Sequence, residues 1–234
     1  MPTRIPYGGG SAAAYRPLAA ELGERARVLG AELPGHDPAR PLDALLPIEE
    51  TAARLAAELT ATGPGPVLVL GHSAGAALAT ELALRLERAG APVLGLVVGA
   101  KLPVRGPDEP PPAEVSDAEY VADLRADGGL PADADDTLLT TVVRALRHDA
   151  GQARRWFDAE PPAAEARLRA PLLCVVGEDD PGTAGHAGRH HEWARYAERV
   201  ELAVLPGAGH YFVKYQAAAV AGLLTGRLPG PLTN

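Results

Sequence analysis

Ser73 lies within Gly71-His72-Ser73-Ala74-Gly75, a G-x-S-x-G pattern. A serine hydroxyl is a weak nucleophile until a base takes its proton. The base in turn needs an acid that holds its tautomer and stabilises its cation. Two distant segments offer these partners. His210 follows Leu205-Pro206-Gly207-Ala208-Gly209, and Val175-Val176-Gly177-Glu178-Asp179-Asp180-Pro181 supplies carboxylates. Asp180 is the preferred acid because Pro181 fixes the turn immediately after it, and Asp179 is the second choice. Ser73, His210 and Asp180 together would attack an acyl carbonyl and release the acyl group to water.

The remaining histidines carry weaker signals. His190 and His191 fall in a helical segment and read as surface residues. His72 adjoins the serine, but neighbours at a tight turn point apart. His36, in Pro34-Gly35-His36-Asp37, could line a cleft, although a solvated loop is the expected setting. His148 and His186 have no informative context. The negative charge developing on an attacked carbonyl needs two backbone N–H groups. Ala74, the residue after the nucleophile, should supply one. Gly8, in Pro6-Tyr7-Gly8-Gly9-Gly10-Ser11, is the first choice for the other, since glycine lets an amide approach closely. A dinucleotide-binding reading of these glycines fails: the pattern is not G-x-G-x-x-G and the preceding strand is very short. No His, Cys or carboxylate cluster has metal-ligand spacing, so neither a metal nor a cofactor is expected.

The elements that must position these residues alternate between strand and helix. Arg27 to Leu33, Val67 to Leu70, Val93 to Val98, Leu172 to Val176 and Val200 to Leu205 read as strands. Ile48 to Thr62, Ala74 to Arg88 and Lys214 to Leu224 read as helices. Val67 to Leu70 is a continuous apolar run, as expected of a strand buried on both faces of a parallel sheet. It runs directly into the serine motif, and a long helix runs directly out, which is the context a nucleophile turn requires. Glycines at 71 and 75 are needed there because side chains would collide with neighbouring backbone. The pattern predicts an α/β fold with a mostly parallel central sheet and helices on both faces. Between Lys101 and Arg169 no convincing strand appears. A Pro-rich loop, Pro103 to Pro112, precedes helical patches at Asp117 to Asp127, Asp136 to Asp149 and Gln152 to Phe157. This insertion, at about residues 101–169, is a candidate helical lid on a single domain spanning 1–234. Its Tyr120, Trp156 and Phe157 could line a pocket or simply pack the lid.

Composition limits the alternatives. The 234 residues are 47% hydrophobic and 22% charged, which suits one globular domain. A net charge of −8 argues against a general nucleic-acid binder. No stretch approaches a membrane span, and no secretory signal is visible, so a cytoplasmic setting is expected. The single cysteine, Cys174, lies in an apolar strand and reads as structural.

The chain order Ser73, Asp180, His210 is that of the α/β-hydrolase arrangement. The sequence also resembles the type II thioesterases of polyketide and nonribosomal peptide assembly lines, over nearly its whole length. The resemblance is carried by Pro6-Tyr7-Gly8-Gly9-Gly10-Ser11 and the following Tyr15, by Leu33-Pro34-Gly35, by Gly71 to Ala76, by Gly177 to Pro181, and by Gly207 to Phe212. Tyr7 and Gly8 stand where that family usually has His and Ala, and Ala74 where it often has Met. Chain-terminating thioesterase domains usually place the acid after the strand that follows the serine helix. Here that position reads Val97-Val98-Gly99-Ala100-Lys101, without an acid, which favours Asp180 and the discrete type II form. The resemblance implies hydrolysis of acyl or peptidyl thioesters from the phosphopantetheine arm of a carrier protein, with the lid selecting the acyl group. Arg16, Arg154 and Arg155 are candidates for meeting an acidic carrier. An esterase or acyltransferase with the same triad, and a silent hydrolase-like binding protein, are the alternatives. The acyl group and the oligomeric state are not legible.

Overall fold

The computed structural model describes residues 2–5, 10–37, 39–40, 42–63, 65–103, 114–130 and 133–227. Six parallel strands form one sheet: β1 (Pro2–Ile5), β2 (Leu29–Gly30), β3 (Val67–His72), β4 (Val93–Gly99), β5 (Leu172–Gly177) and β6 (Val200–Leu205). Their spatial order is β2-β1-β3-β4-β5-β6. Eight α-helices accompany them among the described residues. They are α1 (Arg16–Leu22), α2 (Ile48–Ala61), α3 (Gly75–Arg88), α4 (Asp117–Ala126), α5 (Asp136–Asp158), α6 (His186–Arg189), α7 (Phe212–Tyr215) and α8 (Ala217–Thr225).

The apolar strand runs are explained by two hydrophobic layers. Successive side chains of a strand point to opposite faces. Val67 and Val69 of β3, Leu96 and Val98 of β4, and Leu172, Cys174 and Val176 of β5 enter one layer, with α2, α3 and part of α5. Leu68 and Leu70, Val97, and Leu173 and Val175 enter the other, with α1, α7 and α8. These apolar positions are buried in one layer or the other, so the sequence reads as continuous rather than alternating hydrophobicity. The expected α/β-hydrolase fold, with a parallel sheet covered on both faces, is what the chain adopts.

Three local expectations differ from the structure. Arg27 to Leu33 contributes only the two-residue β2 at the sheet edge, paired with β1 alone. The patches on either side of Gly151 fuse into one 23-residue helix, α5. Its apolar stripe, with Val143, Ala145, Ala153 and Phe157 buried, outweighs the roughly 1 kcal/mol helix cost of a glycine. Lys214 to Leu224 divides into α7 and α8 at Gln216, whose backbone is non-helical (φ −123°, ψ 43°). The insertion between β4 and β5 carries α4 and α5 and, among its described residues, no strand. Most of the Pro-rich loop lies outside the described residues.

Helix α3 lies unusually close to the sheet because its inner face is alanine: Ala76, Ala77, Ala79 and Ala83 are all inaccessible. The closest approach is at Gly71, where an added Cβ would stand 2.4 Å from both the Ala79 Cβ and the Gly75 carbonyl oxygen. Since the second of these is backbone, no rotamer change relieves it. Gly71→Ala should therefore destabilise the fold by about 1–3 kcal/mol through overpacking. Chemical denaturation of the purified variant against wild type measures this.

Candidate active site

The C-terminal edge of a parallel sheet is where loops converge, and Ser73, Asp180 and His210 all lie there, after β3, β5 and β6. Ser73 occupies the turn between β3 and α3. Its φ of 53° is in the left-handed region, one of two such non-glycine values among the described residues, the other being Ala100. A serine costs roughly 1–3 kcal/mol to hold there. Two hydrogen bonds fix it: the Ser73 N–H donates to the Gly99 carbonyl at 2.7 Å, and the Ser73 carbonyl accepts from Ala76 N–H at 3.0 Å. Ala74 is the N-cap of α3, so its amide sits at the positive end of the helix dipole. Gly8 lies outside the described residues.

Of the two acid candidates, Asp180 is the one whose carboxylate reaches the histidine. His210 Nδ1 stands 3.1 Å from Asp180 Oδ2, and the Asp180 side chain is almost wholly enclosed. Its other oxygen accepts from the Gly182 N–H at 3.0 Å, a short turn that Pro181 opens. Burial alone would push the Asp180 carboxyl up. The hydrogen bond and charge of His210, with the Gly182 amide, reverse that and hold it below the usual carboxylate value. Asp179 is exposed, and its backbone N–H donates to the Ala208 carbonyl at 2.9 Å. That bond, with Glu178 N–H to Leu205 O at 3.0 Å, ties the acid loop to the histidine loop. The two loops are so close at Gly177 that a Cβ there would lie 2.2 Å from the Ala208 carbonyl oxygen.

His72, the neighbour of Ser73, is not idle. Fully buried, it donates from Nε2 to the His210 carbonyl at 2.8 Å, across 138 residues. Its ring also packs edge-on against His210 and Phe212, at 5.5 and 4.9 Å between centroids. Burial, and then the charge of His210, lower its pKa to about 3, so it stays neutral at working pH. The residue before the nucleophile thus anchors the backbone of the candidate base. No sequence pattern marks this, because the partner is a main-chain carbonyl on a remote loop.

Two cavities flank the site. One, of about 150 Å³, is lined by Ser73, Ala74, Lys101, Arg154 and Phe157 among others. Phe157 is therefore a pocket residue. Trp156 instead stacks on Tyr196 at 5.0 Å, and Tyr120 lies beneath the Arg147 guanidinium. The second cavity reaches Ala74 and Gly75 and is lined by His36, His148, Asp149 and Gln152. His36 is not solvated as its loop suggests: only 5% is exposed. It donates from Nε2 to Asp149 Oδ2 at 2.7 Å, while Nδ1 lies 3.0 Å from the Pro34 carbonyl. Asp149 comes from α5, so this pair joins the loop after β2 to the inserted helix. His190 and His191 lie in a short 3-10 segment directly after α6. Cys174 is buried, and its thiol is pushed up to about 12 by burial, as befits a structural residue.

The thioesterase domain family model matches residues 4–227. The chain belongs to that family. It is 30% identical over 224 residues to a probable cadicidin biosynthesis thioesterase of Streptomyces griseus, an alignment spanning 92% of this chain but 59% of that protein. It is also 32% identical to part of the AMB antimetabolite synthetase AmbE of Pseudomonas aeruginosa, covering 96% of this chain and 10% of AmbE. This chain therefore corresponds to only part of the length of these curated relatives. Among solved structures, the type II thioesterase BorB from the borrelidin biosynthetic cluster superposes with a TM-score of 0.81 at 32% identity, covering 97% of this chain and 92% of BorB. The thioesterase RedJ of the prodiginine pathway in Streptomyces coelicolor gives 0.81 at 26% identity, over 97% and 89% of the two chains.

The His36–Asp149 pair has a pH signature. Burial drives the His36 pKa down, but the hydrogen bond and charge of Asp149 and the Pro34 carbonyl outweigh it, so the value is raised above 6.5. A raised folded pKa gives stability that is fully present below the unfolded pKa and is lost as pH rises through the folded one. His36→Gln should therefore cost about 1–3 kcal/mol near pH 5.5, and markedly less near pH 9. Denaturant unfolding of both proteins at the two pH values checks the difference.

Proposed function

We propose that this member of the thioesterase family is a discrete type II thioesterase acting on acyl or peptidyl groups held as thioesters on the phosphopantetheine arm of a carrier protein. The observation that carries this reading is the Asp180–His210 contact at the same sheet edge as a strained Ser73 that leads into α3. The thioesterases it resembles are named for cadicidin biosynthesis, the borrelidin biosynthetic cluster and the yersiniabactin nonribosomal peptide and polyketide pathway, and these names support the substrate class.

The chemistry runs in two stages. His210 takes the Ser73 proton as the hydroxyl oxygen attacks the thioester carbonyl, and Asp180 stabilises the imidazolium. The Ala74 amide holds the oxyanion at the α3 N-terminus, with Gly8 as the second donor. Collapse of the tetrahedral species breaks the C–S bond, and the thiol leaves with the proton that His210 carries. Water, deprotonated by His210, then attacks the acyl-Ser73 ester. The free acid departs and Ser73 regains its proton. On this reading α4 and α5 act as a lid over the acyl group, within a single domain.

The test is a kinetic series on acyl thioesters and matched oxygen esters. Ser73→Ala and Asp180→Asn should each lower kcat by about 10⁴-fold, with Asp179→Asn close to wild type. Ser73 should also be the residue labelled by a fluorophosphonate probe. Near-full turnover by Ser73→Ala would overturn the mechanism, and preference for oxygen esters would replace the thioesterase with an esterase.

A further inference from the structure

The cavity that Ser73 lines has an apolar wall built from a single element. Leu146, Ala150, Ala153 and Phe157 stand at spacings of four, three and four, so they share one face of α5. The two alanines leave a notch, and Leu146 and Phe157 bound it. Charged residues mark another side of the lining. Arg154 and Asp158 pair there at 3.3 Å, with 60% of the Asp158 side chain in solvent. A hydrocarbon group attached to Ser73 would therefore run along the α5 face, where it removes apolar surface from water without stripping a charge of its solvent.

Phe157 is the last of the four, and its ring cannot retreat. Three aromatic rings hold it: Trp156 at 5.2 Å, Trp193 at 5.6 Å and Tyr196 at 6.0 Å between centroids, all edge-on. Trp193 and Tyr196 are buried, so Phe157 is backed by core. Each tryptophan is itself tethered to the surroundings of Ser73. The Trp156 Nε1–H donates to Glu81 Oε2 at 3.3 Å, on α3, the helix that begins just after the serine. The Trp193 Nε1–H donates to the carbonyl of Lys101, another lining residue, at 3.2 Å. A chain with only 4% aromatic residues thus places both of its tryptophans and one of its two phenylalanines at this wall. Close-packed rings do not yield to an extra methylene.

We propose that Phe157 is a specificity-determining residue for the acyl group, a fixed stop that sets how long an apolar chain the cavity beside Ser73 takes. The proposal rests on the thioesterase reading above and adds what selects the substrate. A lid that lifts adapts to whatever it covers. The C-terminal part of α5 instead belongs to the main core, so the acyl group meets a preformed wall and is measured against it.

The full chain is assayed on straight-chain acyl N-acetylcysteamine thioesters from acetyl to decanoyl, and the length at which kcat/KM peaks is read for each protein. For wild type, kcat/KM should rise by roughly fourfold per methylene while the chain still gains apolar contact. It should fall by roughly tenfold or more at the first length that meets Phe157. Phe157→Leu, with a smaller apolar side chain, should move the peak to longer chains. Ala150→Leu, which fills the notch from the same helix face, should move it to shorter ones. Peak position does not depend on overall rate, so a variant that is merely less active does not mimic either shift. Circular dichroism reports whether each variant is folded, and Ala150→Leu, at a half-buried position, carries the test should Phe157→Leu fail to fold. A wild-type profile without a peak, a peak that a folded variant leaves in place, or two peaks displaced in the same direction overturns the proposal and spares the thioesterase. Failure of wild type to hydrolyse any of these thioesters overturns the underlying reading as well.

Discussion

The 2.7 Å hydrogen bond from the Ser73 amide to the Gly99 carbonyl holds an L-residue in a conformation it would otherwise leave. That bond spans two neighbouring strands, so it exists only because β3 and β4 are in register up to His72 and Gly99. The register in turn depends on α3 lying flat against the sheet, which the bare Gly71 and the alanine face of the helix permit. Strain at one residue is thus supported by the packing of a whole layer. The same construction puts the α3 N-terminus beneath the serine, where a developing negative charge is best tolerated.

Charge around the site is divided between groups with opposed environments. Asp180 is enclosed yet kept ionised by its donors, while His72 is enclosed and kept neutral. The first can stabilise a proton on His210. The second can hold the His210 main chain without adding a competing charge. Because His72 is covalently next to Ser73 and hydrogen-bonded to His210, the two loops keep a fixed spacing whatever the inserted helices do.

Much of this was readable in the residues. The apolar runs of β3, β4 and β5 announce a sheet covered on both faces, and the Gly71–Gly75 motif between a strand and a helix announces a tight turn. What could not be read depends on contacts distant in sequence. His36 looks like a loop residue until Asp149, 113 positions on, is brought to it by α5. The break read near Gly151 vanishes because the core covers the helix on either side. Arg154 reads as a surface charge, and only the folded arrangement sets it beside Ser73. Asp180 rather than Asp179 meets His210 because Pro181 starts a turn that leaves Asp180 enclosed and Asp179 outside. Gly8 is the part of the site reading that lies outside the described residues.

The buried sulfur of Cys174 has a consequence for chemical self-protection. A hydrolase acting on thioesters, as proposed above, works amid reactive sulfur, in its substrates, in the thiols it frees and in any disulfide these form. A surface cysteine would compete with Ser73 for an acyl group and would trap a released thiol as a mixed disulfide. The only cysteine in the sequence is inside β5, with a thiol that holds its proton up to about 12. Toward its surroundings the protein behaves as a thiol-free molecule, and the thiol exchange that surrounds it passes it by.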